Sequence, residues 1–355
     1  MIIGNFIKEI ELKYKNKYFS GLCFNSSKCK KDNIFFAIKG TKIDGNKFID
    51  HAIQKGAKII ISNQKFVGTR KKILFIKSYN VRKSLAEFAF AIYKNKPKNI
   101  IAVTGTNGKS SVAEFYFQIL KLNKKKVATI GTLGIKTQNY TKKVSNTTID
   151  PITLSVSLNR LKKEKIDNVM LEASSHGLKQ NRLDGLKFKT GIFINLSHDH
   201  LDYHKTRKDY LKSKLYLFEK LLKKNANIIT DKEIPQYKKI KEIALKNKFN
   251  IETISNNSSN LEIISHEYDN DKQIVKIKYN KNIYKFETRL IGKVQIKNIL
   301  MAIIAATKSN LSFRKIINTI HNLKPVSGRL EQIGTIKNNS KVILDYAHTP
   351  GALEA

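Results

Sequence analysis

Cysteine is scarce in this sequence of 355 residues, which contains only Cys23 and Cys29. Two cysteines cannot supply a four-ligand zinc site and do not make the disulfide framework of a small secreted domain. The composition therefore fits a reduced compartment. At this length we expect two or three packed domains.

Long hydrophobic runs are also missing. No apolar run approaches the roughly 20 residues that a membrane-spanning helix needs. Residues 1–17 alternate apolar and charged side chains and lack the uninterrupted hydrophobic region of a signal peptide. The sequence predicts a cytoplasmic protein without a membrane partner.

Acidic residues number only 28 against 67 lysines and arginines, which gives a net charge of +39. Such an excess is typical of proteins that bind nucleic acids or anionic surfaces. Those proteins cluster their charge, often with arginine and aromatic residues interleaved, whereas lysine is scattered here, as in 121–126, 162–165 and 238–248. The favoured interpretation is a lysine-biased composition with no nucleic-acid partner, although the positive field would attract anionic substrates.

Strand and helix patterns alternate along most of the chain. Residues 1–97 predict a small N-terminal α/β domain, followed by a short polar linker around Pro97. Residues 98–324 predict a central domain with a mostly parallel, doubly wound sheet that contains strands such as Asn168–Glu172. Within it, Leu261–Leu290 alternates with period two and predicts an antiparallel subsheet of hairpins.

Residues 325–355 predict the start of a third, Rossmann-like domain. Lys341–Asp345 is predicted as a buried strand, and a helix is predicted to begin before Ala355. One strand and one helical turn cannot form a domain by themselves. We therefore expect most of a third domain to be missing from this sequence.

A glycine-containing loop between a strand and a helix is the most specific motif. Thr104–Ser111 reads TGTNGKSS, and its backbone N–H groups at a helix N-terminus suit a phosphate. Lys109 would neutralise the β- and γ-phosphates and Ser110 would suit magnesium, as in a P-loop, although only two residues separate Gly105 from Gly108 instead of four. The motif predicts ATP-binding residues Gly105, Thr106, Asn107, Gly108, Lys109, Ser110 and Ser111.

A carboxylate and an imidazole follow two other predicted strands, where α/β sheets place ligand sites. Glu172 closes one strand and His200 lies just beyond another, which suggests metal coordination beside the nucleotide loop. The alternative is a helix N-terminus capped by Ser197 or Asp199, with solvated histidines. A zinc hydrolase is unsupported, because the sequence has no HExxH motif.

Three further polar residues have two open interpretations. Lys214 lies on a predicted helix, where a lysine of so lysine-rich a chain is ordinarily a solvated surface residue. Arg329 could clamp a phosphate and Asp345 could accept ribose hydroxyls, but capping of a loop explains each equally well.

Taken together, the motifs resemble the Mur ligases in order and spacing over nearly the whole chain. Within that family they are similar to the branch that adds the third residue of the peptidoglycan peptide to UDP-N-acetylmuramoyl-L-alanyl-D-glutamate. The tracts Asn25–Gly45, Glu172–Arg182 and Asp345–Pro350 point to that branch. The motifs that carry the resemblance are Thr104–Ser111, Asn146–Thr148, Glu172–Leu178, Asn195–His204, Tyr210–Lys214, Gly328–Arg329 and Asp345–Pro350.

The resemblance implies roles for individual residues. Glu172, His200 and Ser110 are implied as magnesium ligands, and Lys214 as a lysine that CO₂ carbamylates to an anionic oxygen donor. Lys109, His200 and Lys214 are implied as the catalytic residues. The ATP contacts implied outside the loop are Asn298, Arg329, Asp345 and His348. The implied contacts of the muramoyl dipeptide and its uridine are Ser26, Asn146, Thr147, Thr148, Ser174, Gln180 and Arg182.

The activity that the resemblance implies is ATP-dependent amide-bond formation through an acyl phosphate, in cytoplasmic peptidoglycan precursor synthesis. The implied partners are ATP with Mg²⁺, the UDP-N-acetylmuramoyl dipeptide, and either meso-diaminopimelate or L-lysine. The choice between the two diamino acids stays open, because the residues that decide it belong to the third domain. We expect a monomer.

Two other functions stay open on the sequence. A folylpolyglutamate-type ligase shares the ATP loop, although the nucleotide-sugar domain and the tract Ser174–Arg182 argue against it. A truncated chain could also bind nucleotide and UDP-sugar without catalysis. The sequence departs mildly from the family pattern at Ile149, where proline is common, at His198, where arginine is frequent, and at Gln295, where asparagine is usual.

Overall fold

The protein divides into two compact units. A computed structural model describes residues 1–7, 9–41, 43–336, 340–348 and 353. The first unit contains residues 1–95, 150–159 and 180–186, and the second unit contains the other described residues. The domain boundaries at 97 and 324 stay predictions. Within the described ranges, no helix is long and apolar enough to cross a bilayer.

A small, mostly parallel sheet forms the centre of the first unit. Its strands follow the order β1-β2-β3-β5-β4, and only β4 is antiparallel to its neighbour. The buried runs in β2 and β3 are continuously apolar, which is typical of strands covered on both faces. The elements are β1 (Gly21–Cys23), β2 (Asn33–Phe36), α1 (Ile49–Gln54), β3 (Ile59–Ser62), β4 (Gly68–Arg70), β5 (Ile73–Lys77) and α2 (Val81–Ile92).

The two cysteines lie at the end of β1 and just after a short helical turn, Ser26–Lys28. This turn brings the Cα atoms of Cys23 and Cys29 to 5.7 Å, and a disulfide joins their sulfurs. This pairing was not predicted from the sequence, where the two cysteines were weighed only as zinc ligands or as a disulfide framework. The bond closes a local segment only, so it is no framework for the fold.

An eleven-stranded sheet forms the centre of the second unit. The first half of the second unit contains β6 (Asn99–Thr104), α3 (Lys109–Leu122), β7 (Val127–Gly131), β8 (Gly134–Lys136), β9 (Thr141–Lys142), α4 (Pro151–Lys163, which begins in the first unit), β10 (Asn168–Glu172), α5 (Ser175–Lys179), β11 (Phe188–Phe193), α6 (Leu201–His204) and α7 (Arg207–Tyr216). Its second half contains β12 (Leu222–Asp231), α8 (Tyr237–Asn247), β13 (Asn250–Ser255), β14 (Leu261–Asp269), β15 (Lys272–Tyr279), β16 (Asn282–Thr288), α9 (Lys293–Thr307), α10 (Phe313–Ile317), β17 (Glu331–Ile336) and β18 (Ser340–Leu344).

The order of this sheet is β16-β15-β14-β13-β12-β11-β6-β10-β7-β8-β9. The strands from β14 to β7 are parallel, while β15 and β16 form an antiparallel subsheet at one edge and β8 and β9 at the other. The α/β class, the parallel centre and the antiparallel subsheet confirm the prediction. Helix α9 is buried along most of its length and packs with α3 in one apolar core, as expected for a helix that is apolar on all sides.

The topology brings three strand ends together. Strands β11, β6 and β10 are parallel neighbours, so their carboxyl ends lie at the same edge of the sheet. The phosphate loop follows β6, Glu172 ends β10, and Asn195 lies two residues beyond β11. A ligand at this edge can therefore meet all three segments.

The region after residue 325 differs from its prediction. Lys341–Asp345 was expected to be buried, but among the described strands β18 pairs with β17 alone, and most of its side chains are exposed. The correction has a physical reason: a two-stranded hairpin has no second layer to cover its faces. Thr349, Pro350 and Ala355, on which the helix prediction falls, lie outside the described residues.

Candidate active site

The phosphate loop turns sharply between β6 and α3. Gly108 has φ +86°, a left-handed conformation that favours glycine. A Cβ atom at Gly108 would lie 2.6 Å from Asn298 Oδ1, and one at Gly105 would lie 2.9 Å from Ile194 Cβ. Both glycines are therefore required by close packing around the loop.

Asn195 braces the loop from the neighbouring strand end. Its side-chain oxygen accepts hydrogen bonds from the N–H groups of Thr106 and Asn107, both at 3.0 Å. The Thr106 hydroxyl lies 3.1 Å from that of Tyr210 and accepts a bond from the N–H of Ser197. The sequence motif contained Asn195 but gave no sign of this role, because the two partners lie almost 90 positions away.

Lys109 lies over the loop that precedes it. Its amino group donates to the carbonyl oxygens of Gly105 at 3.0 Å and Thr106 at 2.8 Å. Burial lowers the pKa of Lys109, while the nearby carboxylates of Glu172 and Asp199 act in the opposite direction. The geometry places a cation at the mouth of the loop, where a phosphate would bind.

Glu172 lies next to the first turn of α3. Its side chain is 2% exposed, and its Oε2 atom accepts a hydrogen bond from the Ser110 hydroxyl at 3.1 Å. Burial raises the pKa of Glu172, whereas the charge of Lys109 and hydrogen bonds from Thr132 and Ser110 lower it. Carboxylate and hydroxyl oxygens are ligands that magnesium prefers, so this pair fits that ion.

Gly131 leaves room for this carboxylate. A Cβ atom at Gly131 would collide with Oε1 of Glu172. We expect Gly131→Ala to displace the carboxylate, to weaken Mn²⁺ binding by about tenfold, since overpacking costs about 1–3 kcal/mol, and to slow catalysis. Electron paramagnetic resonance of Mn²⁺ with a non-hydrolysable ATP analogue measures this. Gly334→Ala is the matched control, since a Cβ atom there meets no atom within 4 Å; equal Mn²⁺ affinities of the two variants would contradict the role of Glu172.

His200 belongs to a cluster of aromatic rings beside the loop. Its ring centroid lies 4.9 Å from that of His176, and its Nε2 atom lies 3.4 Å from Asp199. Burial lowers the pKa of His200, and burial together with nearby cations lowers that of His204 to about 4. Neutral imidazoles can bind a metal. The alternative that Ser197 or Asp199 caps a helix is wrong for α6. The N-cap residue of α6 is His200, and no side chain caps that helix.

Lys214 is a buried residue of α7. Its side chain is 1% exposed, its amino group donates to the Gly105 carbonyl at 2.7 Å, and it lies 4.4 Å from the centre of the Tyr210 ring. Burial, followed by the charge of Lys109, lowers the pKa of Lys214 well below its ordinary value. The expectation of a solvated surface lysine is therefore wrong, because the packing of α7 buries this amine against the Gly105 carbonyl of the phosphate loop.

The structure places only two of the predicted metal ligands, Ser110 and Glu172, in direct contact with each other. Among the described residues, no three His, Cys, Asp or Glu side chains converge as a metal site. Ser110 and Glu172 are in contact, whereas the contacts of His200 are with Asp199 and the neighbouring aromatic rings. Because magnesium usually keeps water and phosphate ligands, a site with few protein oxygens still suits it.

A pocket of about 220 Å³ opens beside the loop. Asn298 donates to Gln295 at 3.0 Å, and Gln295 donates to the carbonyl of Arg329 at 3.4 Å. Asp345 accepts bonds from two backbone N–H groups, so it holds the loop as well as facing the pocket. His348 does not line the pocket. The predicted ATP residues that line it are Asn107, Gly108, Ser111, Asn298, Arg329 and Asp345.

Four predicted substrate residues lie in the second unit. The Thr148 hydroxyl donates to the carbonyl oxygen of Glu172 at 2.8 Å and lies 3.0 Å from the Ser174 hydroxyl. The Thr147 hydroxyl lies 3.0 Å from the Thr132 hydroxyl. Asn146 is exposed and donates to Ser145, so of the four side chains the structure shows only Thr148 and Ser174 in contact with each other.

The other three predicted substrate residues lie in the first unit. Ser26 is buried, and its hydroxyl lies 3.0 Å from Nδ1 of His51. Arg182 and Arg82 both donate to the side-chain oxygen of Gln180, at distances from 2.8 to 3.4 Å. Sequence reasoning missed Arg82, which lies far from Gln180 in sequence; two arginines at one amide are suited to an anionic ligand.

Comparisons with known proteins give the family. The profile described as "Mur ligase middle domain" matches residues 103–306, which include the phosphate loop, Glu172, His200 and Lys214. The profile described as "Mur ligase family, catalytic domain" matches residues 18–97. The chain belongs to the Mur ligase family.

Individual Mur ligases are similar to most of the chain. A UDP-N-acetylmuramoyl-L-alanyl-D-glutamate--2,6-diaminopimelate ligase of Rickettsia prowazekii is 36% identical over 345 residues, which are 96% of this chain and 70% of that protein. A solved structure of a ligase with the same description superimposes with a TM-score of 0.85 and 26% identity, over 99% of this chain and 72% of that one. The MurF ligase from Thermotoga maritima in complex with ADP gives a TM-score of 0.66 at 19% identity, over 94% and 72% of the two chains, and shares the fold.

Proposed function

We propose that this protein is an ATP-dependent ligase that joins 2,6-diaminopimelate to UDP-N-acetylmuramoyl-L-alanyl-D-glutamate in peptidoglycan precursor synthesis. The observation that carries the proposal is the convergence of Lys109 and Lys214 on one carbonyl of the phosphate loop, beside the contact between Ser110 and Glu172. The names of the curated relatives support this substrate pair and favour diaminopimelate over lysine. They do not support a folylpolyglutamate-type ligase or a non-catalytic remnant.

The reaction consists of two transfers. A carboxylate oxygen of the D-glutamyl residue attacks the γ-phosphorus of ATP, the bond to the β-phosphate oxygen breaks, and ADP leaves. The amine of the diamino acid then attacks the acyl carbon of the acyl phosphate. The new C–N bond replaces the C–O bond to phosphate, which leaves with its electron pair, and the amine loses a proton.

The protein's own groups stabilise charge at the first transfer. Lys109 would leave its loop carbonyls for the γ-phosphate, because a phosphate is the stronger acceptor. Ser110, Glu172 and His200 would hold a magnesium ion. When bound, that ion would supply positive charge to the phosphates.

Lys214 is proposed to carry a carbamate. A neutral amine can attack CO₂ to form a C–N bond with loss of one proton, and the low pKa of Lys214 supplies that neutral form. The product is anionic and has oxygen donors, which suit a magnesium site. An unmodified lysine at this position would supply no anionic oxygen to the metal.

The remaining predicted contacts complete the proposal. Asn298 and Asp345 would bind the nucleoside of ATP, Arg329 its phosphates, and His348 would lie near them. Ser26 would contact the uridine. The residues proposed for the muramoyl dipeptide are Asn146, Thr147, Thr148, Ser174, Gln180 and Arg182. A cytoplasmic location, a monomeric state and the absence of a nucleic-acid partner stay predictions.

The direct test is a coupled assay. The protein, ATP and Mg²⁺ are incubated with the UDP-muramoyl dipeptide and diaminopimelate, and the expected products are the UDP-muramoyl tripeptide, ADP and phosphate in equal amounts. Replacement of diaminopimelate by L-lysine tests the other diamino acid, and replacement of the dipeptide by folate tests the folylpolyglutamate-type alternative. Tripeptide formation with lysine alone would refute the diaminopimelate assignment, and binding without any turnover would favour the non-catalytic alternative.

A further inference from the structure

Thr132 contacts both oxygens of the Glu172 carboxylate. It follows β7, and its backbone N–H donates to Oε1 at 3.0 Å while its hydroxyl donates to Oε2 at 3.1 Å. The same hydroxyl lies 3.0 Å from that of Thr147. One residue therefore connects Glu172, which we assign to the metal, with Thr147, which we assign to the muramoyl dipeptide.

The direction of these hydrogen bonds follows from proton counting. A threonine hydroxyl has one proton and two lone pairs, and an ionised carboxylate only accepts. Because the proton of Thr132 is directed to Glu172, Thr147 is the donor in the contact between the two hydroxyls. Its own proton is then used, so Thr147 presents lone pairs to a ligand. The ligand group that meets it is a donor, such as an amide N–H or a sugar hydroxyl, and not a carboxylate.

We propose that the hydroxyls of Thr147 and Thr132 form a relay that couples occupancy of the dipeptide site to metal binding at Glu172. This inference rests on the proposed function. A ligand donor bound to Thr147 fixes the orientation of the Thr132 hydroxyl and hence of the Glu172 carboxylate. A metal bound to Glu172 fixes the orientation of the same two hydroxyls, starting from the carboxylate. Thr132 is exposed, so water competes for its hydroxyl until a ligand covers it. Such a linkage is reciprocal: each ligand raises the affinity for the other by the same factor.

Two variants of Thr132 separate the hydroxyl from the shape of the side chain. Thr132→Val removes the hydroxyl and keeps the backbone N–H and the volume, whereas Thr132→Ser keeps the hydroxyl. Isothermal titration of the UDP-muramoyl dipeptide, with and without Mn²⁺, measures the coupling. We expect Mn²⁺ to raise the affinity by about fivefold or more in the wild type and the serine variant. In the valine variant we expect almost no effect of the metal.

A second measurement needs no dipeptide. Electron paramagnetic resonance of Mn²⁺, with a non-hydrolysable ATP analogue, is expected to show weaker metal binding in Thr132→Val than in Thr132→Ser or in the control Thr141→Val, which lies in the exposed strand β9. Undiminished coupling or undiminished metal affinity in Thr132→Val would overturn the relay. Failure of the wild type to bind the dipeptide would instead refute the proposed substrate, and the metal measurement would still decide on the link from Thr132 to Glu172.

Discussion

Lys109→Ala is expected to reduce ADP formation by about 10³-fold, as the loss of a charge-stabilising group at a transferred phosphate does in other phosphoryl-transfer enzymes. The lysine amino group lies at the mouth of the phosphate loop, bound to the carbonyls of Gly105 and Thr106. Because the γ-phosphate gains a new bond to oxygen as it leaves ADP, the missing cation affects the transition state more than the bound ATP. We expect the turnover rate to fall more than the affinity for ATP.

Lys121→Ala is the matched control for Lys109→Ala. Lys121 belongs to the same helix and is exposed at its far end, so its loss changes the net charge equally without touching the loop. Initial rates of ADP release and the binding of a fluorescent ATP analogue measure the two effects. If Lys109→Ala retains turnover while Lys121→Ala behaves identically, the assignment of the phosphate loop fails.

Lys214→Met is expected to reduce turnover by about 10²-fold, the size of effect seen when a group that supports a metal site is lost. Methionine keeps most of the buried volume but has no amine, so CO₂ cannot add. Because burial lowers the pKa of Lys214, its amine is neutral at lower pH than that of an exposed lysine. The carbamate should therefore form at neutral pH and be lost as the pH falls and the amine becomes protonated.

Carbon-13 NMR with labelled bicarbonate provides a readout for Lys214 besides activity. One carbamate signal is expected in the wild type and in Lys212→Met, whose lysine lies on the same helix and is exposed. That signal should be absent from Lys214→Met. Lack of the signal in the wild type, at a bicarbonate concentration that leaves the enzyme fully active, would refute the modification.

The fold was predictable where the signal is local. The strand at Asn168–Glu172 has the predicted bounds, because an apolar run between polar turns needs no information from elsewhere in the chain. The phosphate loop was predictable for the same reason: its glycines, its lysine and its helix follow one another. Helix α7 ends at Tyr216, where one π-helical turn, Leu217–Leu221, leads into β12.

The site was less predictable, because its parts come from distant segments. Burial of Lys214 depends on where α7 packs, and no pattern distinguishes this lysine from its neighbours. Thr132 and Asn195 matter only for the groups that the strand order places beside them. A resemblance to a family gave roles to Lys214 and Glu172, whereas the contacts of Thr132 required coordinates.

The bracing of the loop by Asn195 limits how far the motif can be transplanted. Thr106 and Asn107 direct their N–H groups into a side chain from the end of β11, so the eight residues of the motif do not define their own shape. Grafted after a strand of an unrelated sheet, they would lack that acceptor and would sample other turns. The portable unit is two adjacent strand ends, and a designer who wants this short phosphate loop must move both.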